Sequence, residues 1–310
     1  MLRIAVTGAF GYSGRYLAQH CLAAGHQVIT LTNSTRRPDP FAGRVPVHPL
    51  AFHQPAHLVE SLRGVEVLIN TYWVRFDHAR FTHQEAVANT RILFQAAQAA
   101  GVRRIVHVSI THPDIHSDLP YFRGKAELEA ALISLGPSYC ILRPTVLFGR
   151  EDVLINNIAW SLRHLPVFGV FGAGDYRLQP IYVDDLATAA VARAGGYRNE
   201  IVQAIGPETF TYRQLVETIA RLLGLRRLIL GVPPGLGYWF CRLLGCLVRD
   251  VIITREEIRG LMQDRLHVDA PPLGTTRLTD WIRQHQATLG VRYTSEMARR
   301  VDRVSAYRSN

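Results

Sequence analysis

The apolar run Leu2-Arg3-Ile4-Ala5-Val6-Thr7 leads directly into Gly8-Ala9-Phe10-Gly11-Tyr12-Ser13-Gly14. A helical pattern then covers Arg15 to Ala24 and ends at Gly25, a C-terminal stop signal. Strand, glycine turn and helix form the context in which this spacing means dinucleotide binding. Gly8 permits the tight turn, Gly11 lets backbone approach a pyrophosphate, and Gly14 allows close helix–strand packing. Amides at the helix start complement the phosphates. Thr7, Gly8, Phe10, Gly11, Tyr12 and Gly14 are therefore candidate cofactor contacts. A glycine triplet alone is weak; its place after an opening strand gives it weight.

Strand and helix patterns alternate beyond this unit. Strands are expected at Gln27 to Thr32, Val45 to Val47, Val65 to Asn70, Arg104 to Ser109 and Tyr139 to Leu142. Helices are expected at Ala56 to Leu62, Phe81 to Ala100 and Tyr121 to Leu135. Such alternation predicts an α/β fold, a doubly wound parallel sheet of Rossmann type with helices on both faces. After Gly149 the pattern loosens: helix Val153 to His164, a glycine-rich stretch 168–174, a helix to Ala194 and a strand Ile201 to Ala204. The expected organisation is a cofactor domain at 1–150, rejoined by about 180–205, and a smaller, mainly helical substrate lobe from 151–179 and 206–310. Asp184 and Asp185 read as helix caps.

Hydrophobic content of 48% and charged content of 19% describe a globular chain. The net charge of +10 is spread along the sequence, which argues against nucleic-acid binding. No apolar run reaches membrane-spanning length. The greasiest segment, Leu228 to Val248, is broken by Pro233, Pro234 and Arg242; it reads as a buried helix, with peripheral membrane contact as the lesser alternative. The first strand begins at residue 2, so no signal peptide is expected. Cys21, Cys140, Cys241 and Cys246 form no Cys-x-x-Cys pair and suggest reduced thiols in a cytoplasmic protein. His112 and His116 flank Pro113, so no metal site is expected. Oligomeric state leaves no mark in the sequence.

One lysine occurs among 35 basic side chains, and it stands four residues after a tyrosine in Tyr121-Phe122-Arg123-Gly124-Lys125. Arginine replaces lysine wherever charge alone suffices, but not where a compact ammonium must approach a ribose and a phenol together. At i and i+4, Tyr121 and Lys125 share one face of their helix. A phenol titrates near ~10, and an adjacent ammonium lowers that value. Tyr121 could then exchange a proton with a substrate oxygen. A surface tyrosine beside a solvated lysine is the competing explanation.

Together these segments resemble the short-chain dehydrogenase/reductase superfamily, in its extended or atypical epimerase/dehydratase-like branch. That branch includes relatives of a respiratory complex I accessory subunit. The resemblance covers roughly residues 1–205. Thr7-Gly8-x-x-Gly11-x-x-Gly14 looks like its cofactor turn, and Tyr121 and Lys125 match its Tyr-x-x-x-Lys pair. The resemblance implies that Lys125 also bonds the nicotinamide ribose and that Asn89 orders a proton relay. It further implies that Thr111 or Ser109 polarises the substrate carbonyl, with Thr111 preferred. Turn capping competes for Ser109 and Thr111, and a plain mid-helix polar role for Asn89. Thr71 and Pro144, the latter in Leu142-Arg143-Pro144-Thr145, are expected beside the cofactor. Gln179-Pro180 stands where nucleotide-sugar epimerases carry Arg-Asp, which argues against a nucleotide-sugar substrate.

The second strand ends in Leu31-Thr32-Asn33-Ser34-Thr35-Arg36-Arg37, without the acid that binds the 2′-hydroxyl of NAD. Asn33, Arg36 and Arg37 are candidate contacts, and a guanidinium suits a 2′-phosphate. NADP is therefore favoured over NAD. The sequence reads as an NADP-dependent oxidoreductase or epimerase/dehydratase-type enzyme acting on a small carbonyl or hydroxyl substrate. The alternative is a non-catalytic, NAD(P)H-binding structural or redox-sensing protein.

Overall fold

The computed structural model describes residues 1–34, 38–77 and 81–297. In chain order the elements are β1 (Arg3–Thr7), α1 (Tyr12–Ala23), β2 (Gln27–Leu31), β3 (Val47–His48) and α2 (Pro55–Ser61). Next come β4 (Val67–Asn70), α3 (His83–Ala99), β5 (Arg104–Val108), α4 (Pro120–Ile133) and β6 (Ser138–Pro144). They are followed by β7 (Leu147–Phe148), α5 (Leu154–His164), β8 (Val167–Phe171), β9 (Arg177–Leu178) and β10 (Ile181–Tyr182). Then come α6 (Val183–Ala194), β11 (Glu200–Ala204), β12 (Phe210–Thr211), α7 (Tyr212–Leu222) and β13 (Leu228–Val232). The last are α8 (Pro234–Val248), α9 (Arg255–Met262) and α10 (Leu278–Gln284).

The chain divides into two compact units. The first comprises Met1–Pro144 and Val183–Ala204. Its seven-stranded sheet has the order β11-β6-β5-β4-β1-β2-β3, and every pairing is parallel. This is the Rossmann-type fold that the alternating pattern predicts. The order reverses between β1 and β4, and the carboxyl ends of strands at such a reversal form the ligand-binding edge. Ala5, Leu31, Leu68, Ile105 and Ile141 from the strands pack with Leu58, Leu93, Phe94, Leu128 and Leu132 from α2, α3 and α4. Each fully buried large side chain contributes about 1.5–3 kcal/mol of apolar burial. On the other side α1 packs against α6, where Asp184 lies 2.8 Å from His20 Nε2. Asp184 and Asp185 thus occupy the first helical turn rather than preceding the helix.

Arg104 opens β5 and is 2% exposed. Its guanidinium donates to the carbonyls of Arg193 (2.7 Å) and Arg198 (3.0 Å) and meets Glu200 at 3.3 Å. Those contacts tie the returning segment α6–β11 to the sheet.

The second unit comprises Thr145–Tyr182 and Ile205–Asn310. Its core gathers Phe148, Ile155, Ile158, Leu162, Val170, Leu178, Leu215, Ile219, Trp281 and Ile282. Capping boxes at Thr211 and Thr254 start α7 and α9. The expectation of a buried helix over Leu228 to Val248 is corrected here. Leu228–Val232 forms a parallel strand beside β8, a pairing that the glycines of the 168–174 stretch obscure. Only α8 is helical, and most of its large side chains face outward.

Candidate functional site

The glycine turn has the backbone its sequence requires. Gly8 adopts φ +66° and donates to Leu31 O at 2.9 Å. A Cβ on Gly14 would come within 2.2 Å of Gly8 O, so only glycine lets α1 seat there. Gly11 caps α1 through extended backbone with no side-chain hydrogen bond, and the first turn carries no acid. The first-turn amides and the helix dipole therefore present positive potential above the turn. An anionic diphosphate fits this donor set.

The neighbouring candidates divide into two kinds. Thr7 is wholly buried; its hydroxyl donates to Asn70 Oδ1 (3.1 Å) and accepts from the amide of Thr71 (2.7 Å). Thr71 returns a hydrogen bond from its hydroxyl to Thr7 O at 2.7 Å. These residues lock the ends of β1 and β4 side by side and shape the turn from beneath. Phe10 is buried and stacks on Phe41 at 6.2 Å, while Tyr12 stands edge-on to Tyr16. Asn33 is pinned by paired hydrogen bonds to the backbone of Leu50, 2.8 and 3.1 Å long. Its side chain therefore fixes the floor beyond β2. Arg36 and Arg37 lie outside the described residues.

Tyr121 and Lys125 sit on successive turns of α4, as their spacing requires. Lys125 is 3% exposed; its ammonium donates to Val108 O at the end of β5 (2.8 Å) and lies 4.3 Å from the centre of the Trp73 ring. Burial pulls its pKa from 10.5 to about 7, with the charge of Glu129 opposing the fall. The ring of Tyr121 stands edge-on to Trp73 at 5.6 Å and to His83 at 5.7 Å. Lys125 is thus buried rather than solvated.

Thr111 is fully buried, and its amide donates to Pro144 O at 3.0 Å, which joins the ends of β5 and β6. Ser109 is also buried, but its hydroxyl donates to Glu129 Oε1 at 2.5 Å. Arg143 holds the same carboxylate through Nε, at 3.0 and 3.2 Å, and a terminal nitrogen at 2.5 Å. Asn89 is half-buried and donates to the Tyr72 hydroxyl at 3.0 Å.

Four residues of this cluster escape sequence reading. Glu129 does carry a signal: it lies one turn beyond Lys125 on the buried stripe of α4, where an unpaired acid is costly. Trp73 and His83 lie in or beside the segment after β4, where no periodicity marks them. His107 lies within β5 and is completely buried. Asn70 Oδ1 already accepts from Thr7 and from the amide of Tyr72, so its Nδ2 donates to His107 Nδ1 at 3.1 Å. The proton of the neutral ring therefore sits on Nε2. Burial and the nearby Lys125 charge keep His107 well below its usual pKa.

A parallel sheet with a glycine turn at its strand-order reversal is the architecture of NAD(P)-binding proteins of the oxidoreductase or epimerase type. The family model described as "NAD dependent epimerase/dehydratase family" matches residues 4–201, and the chain belongs to that family.

The chain is 27% identical over 225 residues to the mitochondrial NADH dehydrogenase [ubiquinone] 1 alpha subcomplex subunit 9 of Arabidopsis thaliana, covering 68% of this chain and 56% of that protein. It is 25% identical over 279 residues to the protein of the same name from Rattus norvegicus, covering 86% and 74%. A solved NADPH-dependent quinone oxidoreductase from Escherichia coli, in complex with NADPH, shares the fold with a TM-score of 0.73 at 23% identity, covering 91% of this chain and 99% of that one. The cytoplasmic expectation is corrected by the two curated relatives, both mitochondrial by name.

Proposed function

We propose that this enzyme uses NADP(H) and a Tyr121–Lys125 proton-transfer pair on a small, partly apolar carbonyl or hydroxyl substrate that is not a nucleotide sugar. The observation that carries the reading is the burial of the chain's one lysine a single turn after Tyr121, at the carboxyl edge of the sheet that bears the glycine turn. Keeping an ammonium out of water is costly and is retained for a purpose.

Gly8, Gly11, Gly14 and the first-turn amides of α1 would hold the dinucleotide phosphates. When bound, the cofactor supplies a hydride donor or acceptor. Lys125 would lend positive charge to the phenol, Tyr121 Oη would move a proton to or from the substrate oxygen, and the Thr111 hydroxyl would polarise that oxygen. NADP preference is supported by the lack of an acid from Thr32 to Arg37, at the end of β2, and by the sequence pair Arg36-Arg37. Gln179-Pro180 in place of Arg-Asp supports the exclusion of nucleotide sugars.

Titration with NADPH and NADH by calorimetry, followed by a substrate panel, tests the reading. Tighter NADPH binding and turnover of carbonyl compounds, with none of UDP- or dTDP-sugars, are expected. Tighter NADH binding defeats the cofactor assignment, and epimerisation of a nucleotide sugar defeats the substrate assignment.

The lodging of the Lys125 ammonium between Val108 O and Trp73 favours a second reading, in which NAD(P)H is retained as a structural ligand. The names of the curated relatives, subunits of a mitochondrial NADH dehydrogenase, agree with it. Dinucleotide that co-purifies and is never turned over across the panel would favour that second reading.

A further inference from the structure

Helix α8 is seated on its own unit at Gly237, and its C-terminal turn closes over a second glycine, Gly245. Gly237 and Gly245 are its only buried residues. A Cβ on Gly237 would lie 2.7 Å from the Phe171 ring, and one on Gly245 would lie 2.6 Å from Asp250 O. The large side chains lie on the other side. Leu236, Trp239, Phe240, Leu243 and Leu247 are 66%, 52%, 55%, 66% and 81% exposed. With 3.6 residues per turn, the five fall within about 100° of arc. Leu228 and Leu230, on the strand just before the helix, are also exposed. An apolar stripe of this size marks an interaction surface rather than scattered surface leucines.

The surrounding charge identifies what the stripe meets. From Thr218 to Arg249 the sequence has no acid and five arginines, Arg221, Arg226, Arg227, Arg242 and Arg249. Arg226, Arg242 and Arg249 are exposed, and the Arg242 guanidinium lies 5.1 Å from the ring centre of Trp239. The helix is about 22 Å long. Among the described residues no helix is long and apolar enough to cross a membrane. A short helix with an apolar stripe, a tryptophan on it and arginines beside it has the composition that lies in the plane of an anionic lipid interface.

Other occupants complement the surface less well. Pairing two such faces would bring the arginines of two copies together on a chain of net charge +10. The sequence 298–310 carries Arg299, Arg300, Arg303 and Arg308, and is chemically a poor cover for a stripe of leucines.

We propose that α8 docks the enzyme on an anionic bilayer surface, with Leu236, Trp239, Phe240, Leu243 and Leu247 in the acyl boundary and Arg226, Arg242 and Arg249 among the phosphate headgroups.

The full-length protein is sedimented with vesicles of phosphatidylcholine alone and with vesicles carrying about 30% phosphatidylglycerol, an anionic fraction large enough to set up a negative surface potential. Binding to the anionic vesicles at least about tenfold stronger is expected, together with a blue shift of tryptophan emission that Trp239→Phe removes. Leu243→Glu/Leu247→Glu changes only exposed positions, so it keeps the wild-type melting temperature and loses at least about tenfold in vesicle affinity. Arg226→Gln/Arg242→Gln weakens binding to anionic vesicles and leaves neutral ones unaffected.

Equal affinity for both vesicles overturns the headgroup assignment. No sedimentation with either, or an unaffected double-glutamate variant, overturns the proposal. A dimer seen by ultracentrifugation that the double-glutamate variant dissolves, without vesicle binding, assigns the face to a second copy instead.

Discussion

Ser109 donates its hydroxyl to the Glu129 carboxylate at 2.5 Å, and both side chains are buried. A hydroxyl committed to an ionised acceptor in a dry site is a poor donor to anything else. Its partner is held in turn by Arg143. The Ser109–Glu129–Arg143 group therefore braces the ends of β5 and β6 against α4.

Of the two hydroxyls at the end of β5, Thr111 is the one expected to act on substrate. Thr111→Val should lower kcat by about 100-fold or more, the usual effect of losing one polarising donor. Ser109→Ala should leave kcat within about threefold and cost roughly 1 kcal/mol of stability, the value of one net hydrogen bond. Steady-state kinetics on the two variants decides. A severe loss from Ser109→Ala with a mild one from Thr111→Val reverses the roles.

Glu129 should matter through its charge. Breaking a buried ion pair costs about 3–5 kcal/mol because the surviving charge is left unpaired. Glu129→Gln keeps the shape and some hydrogen bonding, so a loss at the lower end of that range is expected in urea unfolding. The same substitution removes the charge that opposes the fall in the Lys125 pKa, and should push that pKa further down. A variant as stable as the wild type would show that the Arg143 contact is idle.

Lys125 imposes a pH dependence of definite sign. Its folded pKa, about 7, lies below the unfolded value of 10.5. Below pH 7 both states hold the proton, and the full burial cost is present. Between about 7 and 10.5 the unfolded chain holds one proton more than the folded one. Stability then rises with pH, by at most about 1.4 kcal/mol per pH unit from this group. Lys125→Met removes the cost, so it should stabilise most at pH 6 and progressively less toward pH 10. Melting curves of both proteins across that range test it. A constant difference between them would mean that Lys125 is not the group responsible.

The glycine turn allows a sharper geometric test. Gly14→Ala drives a methyl to 2.2 Å from Gly8 O, and neither group sits on a flexible side chain. The helix start must move and take its phosphate-facing amides with it. Loss of NADPH binding is expected while the second unit's core, built from other residues, stays folded. Circular dichroism alongside calorimetry separates the two effects. Unchanged affinity would place the cofactor elsewhere.

What the sequence makes legible here follows from the range of the forces involved. The β1–α1 unit is local: its apolar run, positive-φ glycine and helix start are neighbours in the chain, so spacing alone reveals them. Tyr121 and Lys125 are legible for the same reason, being one helical turn apart. The lid of Trp73 over Lys125 and the Asn70–His107 contact each join residues at least 37 positions apart, and no short pattern carries them. Asn33 shows the same limit. Its place after β2 suggests a ligand contact, and the bonds that fix its side chain run to Leu50, whose position only the fold decides. For α8 composition signals burial, whereas the helix packs on Phe171 at Gly237 and carries its large residues on the exposed side.

The proton-transfer assignment rests finally on Tyr121 and Lys125 together. Tyr121→Phe removes only the hydroxyl of a half-buried ring, so the packing on Trp73 and His83 survives. It should lower kcat by about 100-fold or more and leave NADPH affinity and melting temperature near wild type. Lys125→Arg tests whether charge alone suffices, as it does at the chain's 34 arginines. The wider guanidinium must enter a space bounded by Val108 O and the Trp73 ring, with an overpacking cost of about 1–3 kcal/mol. Lys125→Met, which fits that space without charge, separates the two effects. If the ammonium serves Tyr121, both lysine variants should fall to the level of Tyr121→Phe, and combining either with it should cause little further loss. If Lys125→Met keeps near-full turnover while Tyr121→Phe does not, the lysine serves the cofactor or the fold, and Tyr121 acts without it.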